Sequence, residues 1–429
     1  MMVVVTGLCV LLLGLVIGLP VSLSLMMAGA VGLFMIGDIH TVFGVLAATP
    51  LSAVHSYEFI MIPMFILMAN FIIASGVSDD MFNIAKVWMG KTPGGLAHAT
   101  ALTGAAFGAI SGSSTAAAAT LSSTSIPGMI KQGYDRRLAA GVVAISGTLA
   151  MLIPPSGAMV IYALLADISV AKLMIAGIVP GVLVALVIML TVAVLVWRNP
   201  QHAPPAQRYS WWEKISSLRF AWSFILLFSL ITVVIYAGIG TPTEASAVGA
   251  LAALGLAVTR RTPTKKLLRA AIKAAEASCM IAFIIIGAQV FGYYLTLTQS
   301  TQGLFTFLTQ SGVSNWTILL CILVIYLILG CFMDLIAMMV LTVPIVSPLI
   351  QQLGFDPIWF AVLTIVIGEV GLLTPPMGMN VFVISKYTRM PVTDVFRGSV
   401  PHVIAHLLLI ALLVAMPSIV TWLPSTMKS

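Results

Sequence analysis

Apolar residues occupy this chain in long, nearly unbroken runs, and polar residues are confined to short connections between them. A helix needs about 20 apolar residues to cross the hydrocarbon core of a bilayer. On that measure the pattern predicts spans near residues 2–19, 21–37, 56–76, 138–164, 173–197, 220–240, 242–259, 277–298, 357–386 and 400–424. Two further apolar regions, 93–130 and 314–352, read differently. Each has two arms, both a little short of a full span, around a polar or small-residue tip. The first tip is Ser111-Gly112-Ser113-Ser114-Thr115, and the second runs from Gly330 to Asp334. Such arms predict re-entrant helical hairpins, because irregular backbone at membrane depth is stable only when protein buries it or it lines a wet cavity.

Composition supports the same class. Of the 429 residues, 60% are hydrophobic and 8% charged, against about 25% charged in soluble domains. Disorder is excluded too, since it requires low hydrophobicity and high charge. The net charge of +7 sits in short basic clusters between apolar runs, which points to membrane topology and not to nucleic acid. If the N-terminus is outside and both hairpins return to the side they enter from, every Lys and Arg except Lys172 and Lys428 is cytoplasmic. The excess of basic residues on the cytoplasmic side therefore predicts both termini on the outer, periplasmic face. It leaves the depth of the hairpins open. At the start, Ala28-Gly29-Ala30 resembles a cleavage site, but no basic segment precedes it and the apolar run continues to Ile36. Two uncleaved helices are the reading. Cys9, Cys279, Cys321 and Cys331 lie in apolar segments without metal-type spacing and read as small buried hydrophobes.

One hydrophilic break, residues 199–219, carries Pro200, Pro204 and Pro205 and then Tyr209, Trp211 and Trp212. Prolines stiffen a linker, and an aromatic-basic stretch suits a helix at the membrane interface. It separates residues 1–198 from residues 220–429, and these halves resemble each other. A single constant shift aligns Gly133 with Gly354, Asp135 with Asp356 and Gly147 with Gly368. It also aligns Pro154-Pro155-Ser156-Gly157 with Pro375-Pro376-Met377-Gly378, and Gly177 and Pro180 with Gly398 and Pro401. Over residues 133–182 there are 13 identities in 50 positions without a gap. The basic segment Gly133 to Arg137 is cytoplasmic, whereas its counterpart Gly354 to Ile358 has no basic residue and falls outside. The repeat is therefore inverted, a transporter pattern that places substrate and ions near the midplane. Each Pro-Pro pair removes amide donors and breaks its span.

Unwound backbone frees carbonyls for a small hard cation such as Na⁺, and half-helix N-termini offer amides to an anion. The candidates are Ser111 to Thr115 with Ile153, Pro154, Ser156 and Gly157 in the first half. In the second they are Gly330, Cys331 and Asp334 with Gly371, Thr374, Met377, Gly378 and Asn380. The serine run could serve helix packing alone; beside the repeat and the breaks it reads as a site. Asp334 and Glu369 are intramembrane acids, and such groups bind cations, carry protons or tie down free amides. Glu58, Glu244 and Glu276 lie nearer span ends, where interfacial water solvates them. No enzyme signature is present: Gly90-Lys91-Thr92 lacks the glycine of a phosphate loop, and the six histidines do not cluster. His402 and His406 share a helix face without a metal-binding pattern. With no nucleotide site, the expected driving force is an ion gradient, and an enzyme is not expected.

The chain resembles the large membrane subunit of tripartite ATP-independent periplasmic (TRAP) transporters of the dicarboxylate and sialic-acid type. The resemblance covers nearly the whole chain. It rests on Gly108 to Ser114, Ile153 to Gly157, Met333-Asp334 with Val343-Pro344, and Gly354 to Pro357. Its most specific piece is Glu369-Val-Gly-Leu-Leu-Thr-Pro-Pro-Met-Gly-Met-Asn380. It implies an all-α polytopic elevator-type transporter of the bacterial inner membrane. In that fold a transport domain of two hairpins and two broken helices slides on a scaffold of the remaining spans, and two or more Na⁺ ions accompany an organic anion inward. It also implies a small four-helix membrane subunit, which would leave exposed apolar helix surface here, and a periplasmic substrate-binding protein. One sodium site would use Ser111, Gly112, Pro154 and Gly157. The other would use Gly330, Gly371, Thr374 and Met377, mostly through carbonyls. Ser113, Ser114, Ser156, Asp334 and Asn380 would hold the anion, since no Arg or Lys lies clearly at the midplane. Sialic acid stands slightly ahead of C4-dicarboxylates. The first half has Ile153 and Met159 where the second has Thr374 and Asn380, so the two ion sites differ chemically. A stand-alone sodium/anion symporter of a related elevator fold is the alternative.

Overall fold

In the computed structural model, residues 2–204 and 208–427 are described. The linker residue Pro205 and the outer-side residue Lys428 lie outside that set. The described residues form helices and connections without a strand. The first half opens with α1 (Met2–Ile17), α2 (Val21–Ile36), α3 (Ile39–His55), α4 (Met61–Ala74) and α5 (Val77–Met89). The first hairpin follows as α6 (Gly95–Ser111), α7 (Ser114–Thr124) and α8 (Ile126–Lys131). Next come α9 (Arg136–Thr148), α10 (Gly157–Ala166), α11 (Val170–Ala176) and α12 (Ile178–Arg198). After the linker helix α13 (Trp211–Ser217), the second half contains α14 (Trp222–Tyr236), α15 (Pro242–Thr259), α16 (Thr264–Leu297) and α17 (Ser300–Gln310). Its hairpin is α18 (Asn315–Phe332) and α19 (Leu335–Gln352), followed by α20 (Pro357–Gly371), α21 (Met379–Thr388), α22 (Val392–Ala415) and α23 (Ser418–Ser425).

Seven stretches of at least 18 helical residues are apolar enough to cross a bilayer among the described residues, so the chain is a multi-pass membrane protein. The segment Trp211–Phe220 meets α14 at 54°, which makes an eighth span if the bent pair is counted as one. Trp211 and Trp212 remain exposed on it.

The hydrophobic pattern missed three helices and shortened a fourth. Helix α3 carries Pro50 and is largely exposed, so it lacks the uniform apolar run of a span. Among the side chains described in α5, the buried ones form the stripe Val77, Met81 and Ala85, the spacing of an amphipathic surface helix; α17 is likewise part polar. Helix α16 begins at Thr264, well before the predicted start at 277. Its Lys-, Arg- and Ala-rich first turns are strong helix formers that the hydrophobicity measure passes over.

The register of the repeat runs beyond the motifs. Under the shift that places Gly133 on Gly354, the starts of α2, α7 and α9 coincide with those of α15, α19 and α20. The end of α6 likewise coincides with the end of α18. Continuity differs at three places: α3 and α4, α7 and α8, and α11 and α12 are each separated, whereas their counterparts α16, α19 and α22 are continuous.

At the centre lie α9 and α20. Every residue from Leu138 to Thr148 and from Trp359 to Gly371 is buried. Helix α22 crosses α9 at backbone contact: a Cβ on Gly141 would stand 2.0 Å from the Gly398 carbonyl oxygen. Arg137 on α9 pairs with Asp394 on α22 at 2.9 Å at the rim of this crossing. Around this body pack α2, α3, α4, α14, α15 and α16, which contact one another extensively. Arg260 ties three of the outer elements together, bonding Asp80 at 2.6 Å and the Ser223 hydroxyl at 3.1 Å.

Candidate transport site

Each hairpin tip is closed by a side chain that caps its returning arm. Ser113 precedes α7 and accepts from the Ala116 amide at 3.4 Å. Asp334 precedes α19 and accepts from the Ala337 amide at 3.3 Å. The two are equivalent in the register of the repeat, so the halves share a cap position that one fills with a hydroxyl and the other with a carboxylate. Gly112, at φ 56°, makes the left-handed turn into the first tip. The Ser111 hydroxyl donates to the Ser113 carbonyl at 3.5 Å, and the Ser113 and Thr115 hydroxyls pair at 3.2 Å.

Both tips rest on the helix breaks. A Cβ on Gly112 would lie 3.2 Å from the Gly157 amide nitrogen. In the second half the Gly378 amide donates to the Cys331 carbonyl at 3.3 Å, and a Cβ on Gly371 would lie 2.6 Å from the Gly330 Cα. Because each break falls between the two halves of its span, each tip meets the middle of a broken helix, although α18 and α19 are each long and apolar enough to cross a bilayer. The halves also interlock, since α21 packs on α7 and α10 packs on α19.

The two breaks, Pro154-Pro155 and Pro375-Pro376, are both cis, but their surroundings differ. Pro154, Pro155 and Ser156 are buried, and Pro155 sits in a small apolar cleft with Met68, Ile72, Phe224, Leu227, Phe228 and Ile231 of α4 and α14. Pro375, Pro376 and Met377 are exposed. The predicted residues accordingly divide. Gly330, Gly371 and Thr374 gather at the second break, where the Thr374 hydroxyl donates to the Val370 carbonyl at 2.8 Å. Met377 points outward with 52% of its surface exposed. Ser156 is fully buried; its hydroxyl donates to the Met151 carbonyl and accepts from the Met159 amide, capping α10. Ser114 and Asn380 are buried, and neither polar atom of the Asn380 side chain has a protein partner.

Glu369 is the acid that links the halves. It is buried in α20, neither of its carboxyl oxygens has a hydrogen-bond partner in the protein, and it lies against Thr148, Leu152 and Val184 of the first half. Glu58 and Glu244 lie elsewhere. Glu244 caps α15 in a reciprocal box with Thr241, and Glu58 lines a cavity of about 750 Å³ with Tyr57, Asp167, Ser169, Thr243 and Gln289. None of the tip or break residues lines that cavity. Among the described residues no group of three His, Cys, Asp or Glu side chains could hold a metal.

The family described as the tripartite ATP-independent periplasmic transporter, DctM component, matches residues 8–419. The chain belongs to this family. It is 36% identical over 371 residues to the C4-dicarboxylate TRAP transporter large permease protein DctM of Pseudomonas aeruginosa, covering 86% of each chain. It is 30% identical over 410 residues to the sialic acid TRAP transporter large permease protein SiaM of Vibrio cholerae, covering 95% of each. Among solved structures, the YdaH transporter of Alcanivorax borkumensis superposes with a TM-score of 0.68 over 93% of this chain and 98% of that one. At 13% identity that likeness establishes a shared fold. As members of a family of transporter permeases, these proteins move solutes and are not enzymes.

Proposed function

We propose that this TRAP permease subunit imports an organic carboxylate together with Na⁺ across the bacterial inner membrane. The observation that carries this reading is the convergence of two capped hairpin tips and two helix breaks in one interlocked body. They bring together hydroxyls, free carbonyls and the carboxylates of Asp334 and Glu369. Oxygen donors at unwound backbone suit an alkali cation, and the bound cation then offsets the charge of the anion beside it. Ser111, Gly112, Pro154 and Gly157 belong to the first ion site, and Gly330, Gly371, Thr374 and Met377 to the second. The anion is held by Ser113, Ser114 and Asn380 together with Asp334, whose negative charge acts on it through the neighbouring Na⁺; Ser156 contributes from beneath, through its cap.

Movement is of the elevator type. The tips and breaks travel as one body against α4, α14 and their neighbours, and the apolar cleft around Pro155 is a sliding contact without hydrogen bonds to break. The orientation from the basic residues puts the large cavity on the periplasmic side, with the tips closed to it. A small membrane subunit covers exposed apolar faces such as Val182, Leu186, Leu190 and Val194 on α12, and a periplasmic receptor delivers the anion. Among substrates a C4-dicarboxylate comes first, in view of the 36% identity to the Pseudomonas aeruginosa permease, with sialic acid second.

Proteoliposomes containing this chain and its small subunit test the reading, with labelled succinate or sialate, an inward Na⁺ gradient, and the receptor present or omitted. Uptake is expected only with gradient and receptor together. Uptake without receptor would establish a stand-alone symporter instead, and equal uptake with choline replacing Na⁺ would remove sodium from the mechanism.

A further inference from the structure

Thr148 and Glu369 hold equivalent positions in the two repeats, just before the two helix breaks. They also line the same small cavity, of about 10 Å³, together with Leu152, Val184, Val366, Val370 and His406. A space of that size accommodates about one water molecule. It lies where the two repeats meet, yet its chemistry is one-sided, because the acid and the imidazole both come from the second half.

The hydrogen-bond inventory of these groups is incomplete. His406 is buried, and its Nδ1 lies 2.8 Å from the His402 carbonyl. A carbonyl only accepts, so Nδ1 carries the hydrogen and Nε2 is the ring atom left over. Nε2 has no protein partner, nor has either carboxyl oxygen of Glu369. The Thr148 hydroxyl is already committed, donating to the Ile145 carbonyl at 2.7 Å. Of the polar groups on the residues that line the cavity, the Glu369 carboxyl group and His406 Nε2 are the ones left without a protein partner, two acceptors for a molecule that brings two hydrogens. Its remaining walls are aliphatic, so the occupant has few other partners to choose from.

We propose that this cavity binds a single ordered water bridging the Glu369 carboxyl group to His406 Nε2, and that His406 is thereby a positioning residue for the transport site. The bridge fixes the carboxyl group two residues before Gly371, the glycine on which the second hairpin tip rests. The water site stands on geometry alone; its consequence for transport rests on the sodium-coupled reading above.

Two measurements on the chain with its small subunit test it. A density map fine enough to show ordered water is expected to carry one peak within hydrogen-bonding distance of Nε2 and a Glu369 oxygen. A direct Glu369–His406 contact, or an empty cavity, overturns the bridge. Outer groups that orient an ion site, without being its ligands, typically change its affinity by about 10- to 100-fold. His406→Leu is therefore expected to raise the half-saturating Na⁺ concentration about tenfold with little change in maximal rate. His406→Gln, which keeps an acceptor in the cavity, is expected to restore most of the affinity. An unaltered Na⁺ dependence in a folded His406→Leu protein overturns the positioning role. Wild-type uptake that ignores Na⁺ would sink the sodium-coupled reading, whereas the peak in the map would still uphold the water bridge.

Discussion

The Asp334→Ser protein is expected to insert and fold like the wild type and to lose most of its uptake. Asp334 has two separable properties. As the N-cap of α19 it accepts from the Ala337 amide, and as an acid it places a negative charge at the second hairpin tip. An alanine would remove both, and loss of a cap alone destabilises a helix by about 1 kcal/mol. Serine keeps the cap, because the first repeat uses Ser113 in the equivalent place for the same bond. What remains is the loss of charge. A hydrogen bond or ion contact to a charged group contributes about 1.5–3 kcal/mol, which corresponds to a loss of affinity of about tenfold to a hundredfold. Sodium-dependent uptake, normalised to protein in the membrane, measures the effect. Full activity in Asp334→Ser would reduce Asp334 to a structural cap.

Gly371→Val is expected to abolish transport through packing. A Cβ at this position would lie 2.6 Å from the Gly330 Cα and 2.7 Å from its carbonyl carbon, both backbone atoms that cannot rotate away. The second hairpin must therefore move off the break. Overpacking of this kind costs about 1–3 kcal/mol, which a body as well buried as α20 can absorb without unfolding. An ion site assembled from carbonyls on both sides of that contact cannot. Gly255→Ala supplies the control, since nothing lies within 4 Å of the added carbon. It should transport normally and melt no lower than the wild type. If Gly371→Val transported like Gly255→Ala, the seating of the tip on the break would have no part in function.

These residues also indicate what can be read from sequence. Proline and glycine act on the backbone locally, so Pro154-Pro155, Pro375-Pro376 and the glycines around them located both breaks and the repeat without a structure. The tips were legible because serine and aspartate stood out in apolar surroundings. The amphipathic helices α5 and α17 were not, since a hydrophobicity measure tuned to spans ignores a helix with one buried stripe. Nor was the inward commitment of Ser156, whose hydroxyl bonds the Met151 carbonyl instead of facing outward. Composition does not reveal which way a small side chain turns. The neighbourhood of Glu369 and His406 was hidden for another reason. Each looked like an isolated polar residue on its own helix, and only the crossing of α22 over the central body brings them to one cavity.

Coupling itself is the most direct test. Uptake of ²²Na⁺ and of labelled carboxylate would be followed together in receptor-supplied proteoliposomes, with the membrane potential clamped. The account predicts that adding carboxylate and receptor starts ²²Na⁺ entry in fixed proportion to carboxylate entry. Carboxylate accumulation with no accompanying ²²Na⁺ movement would contradict it.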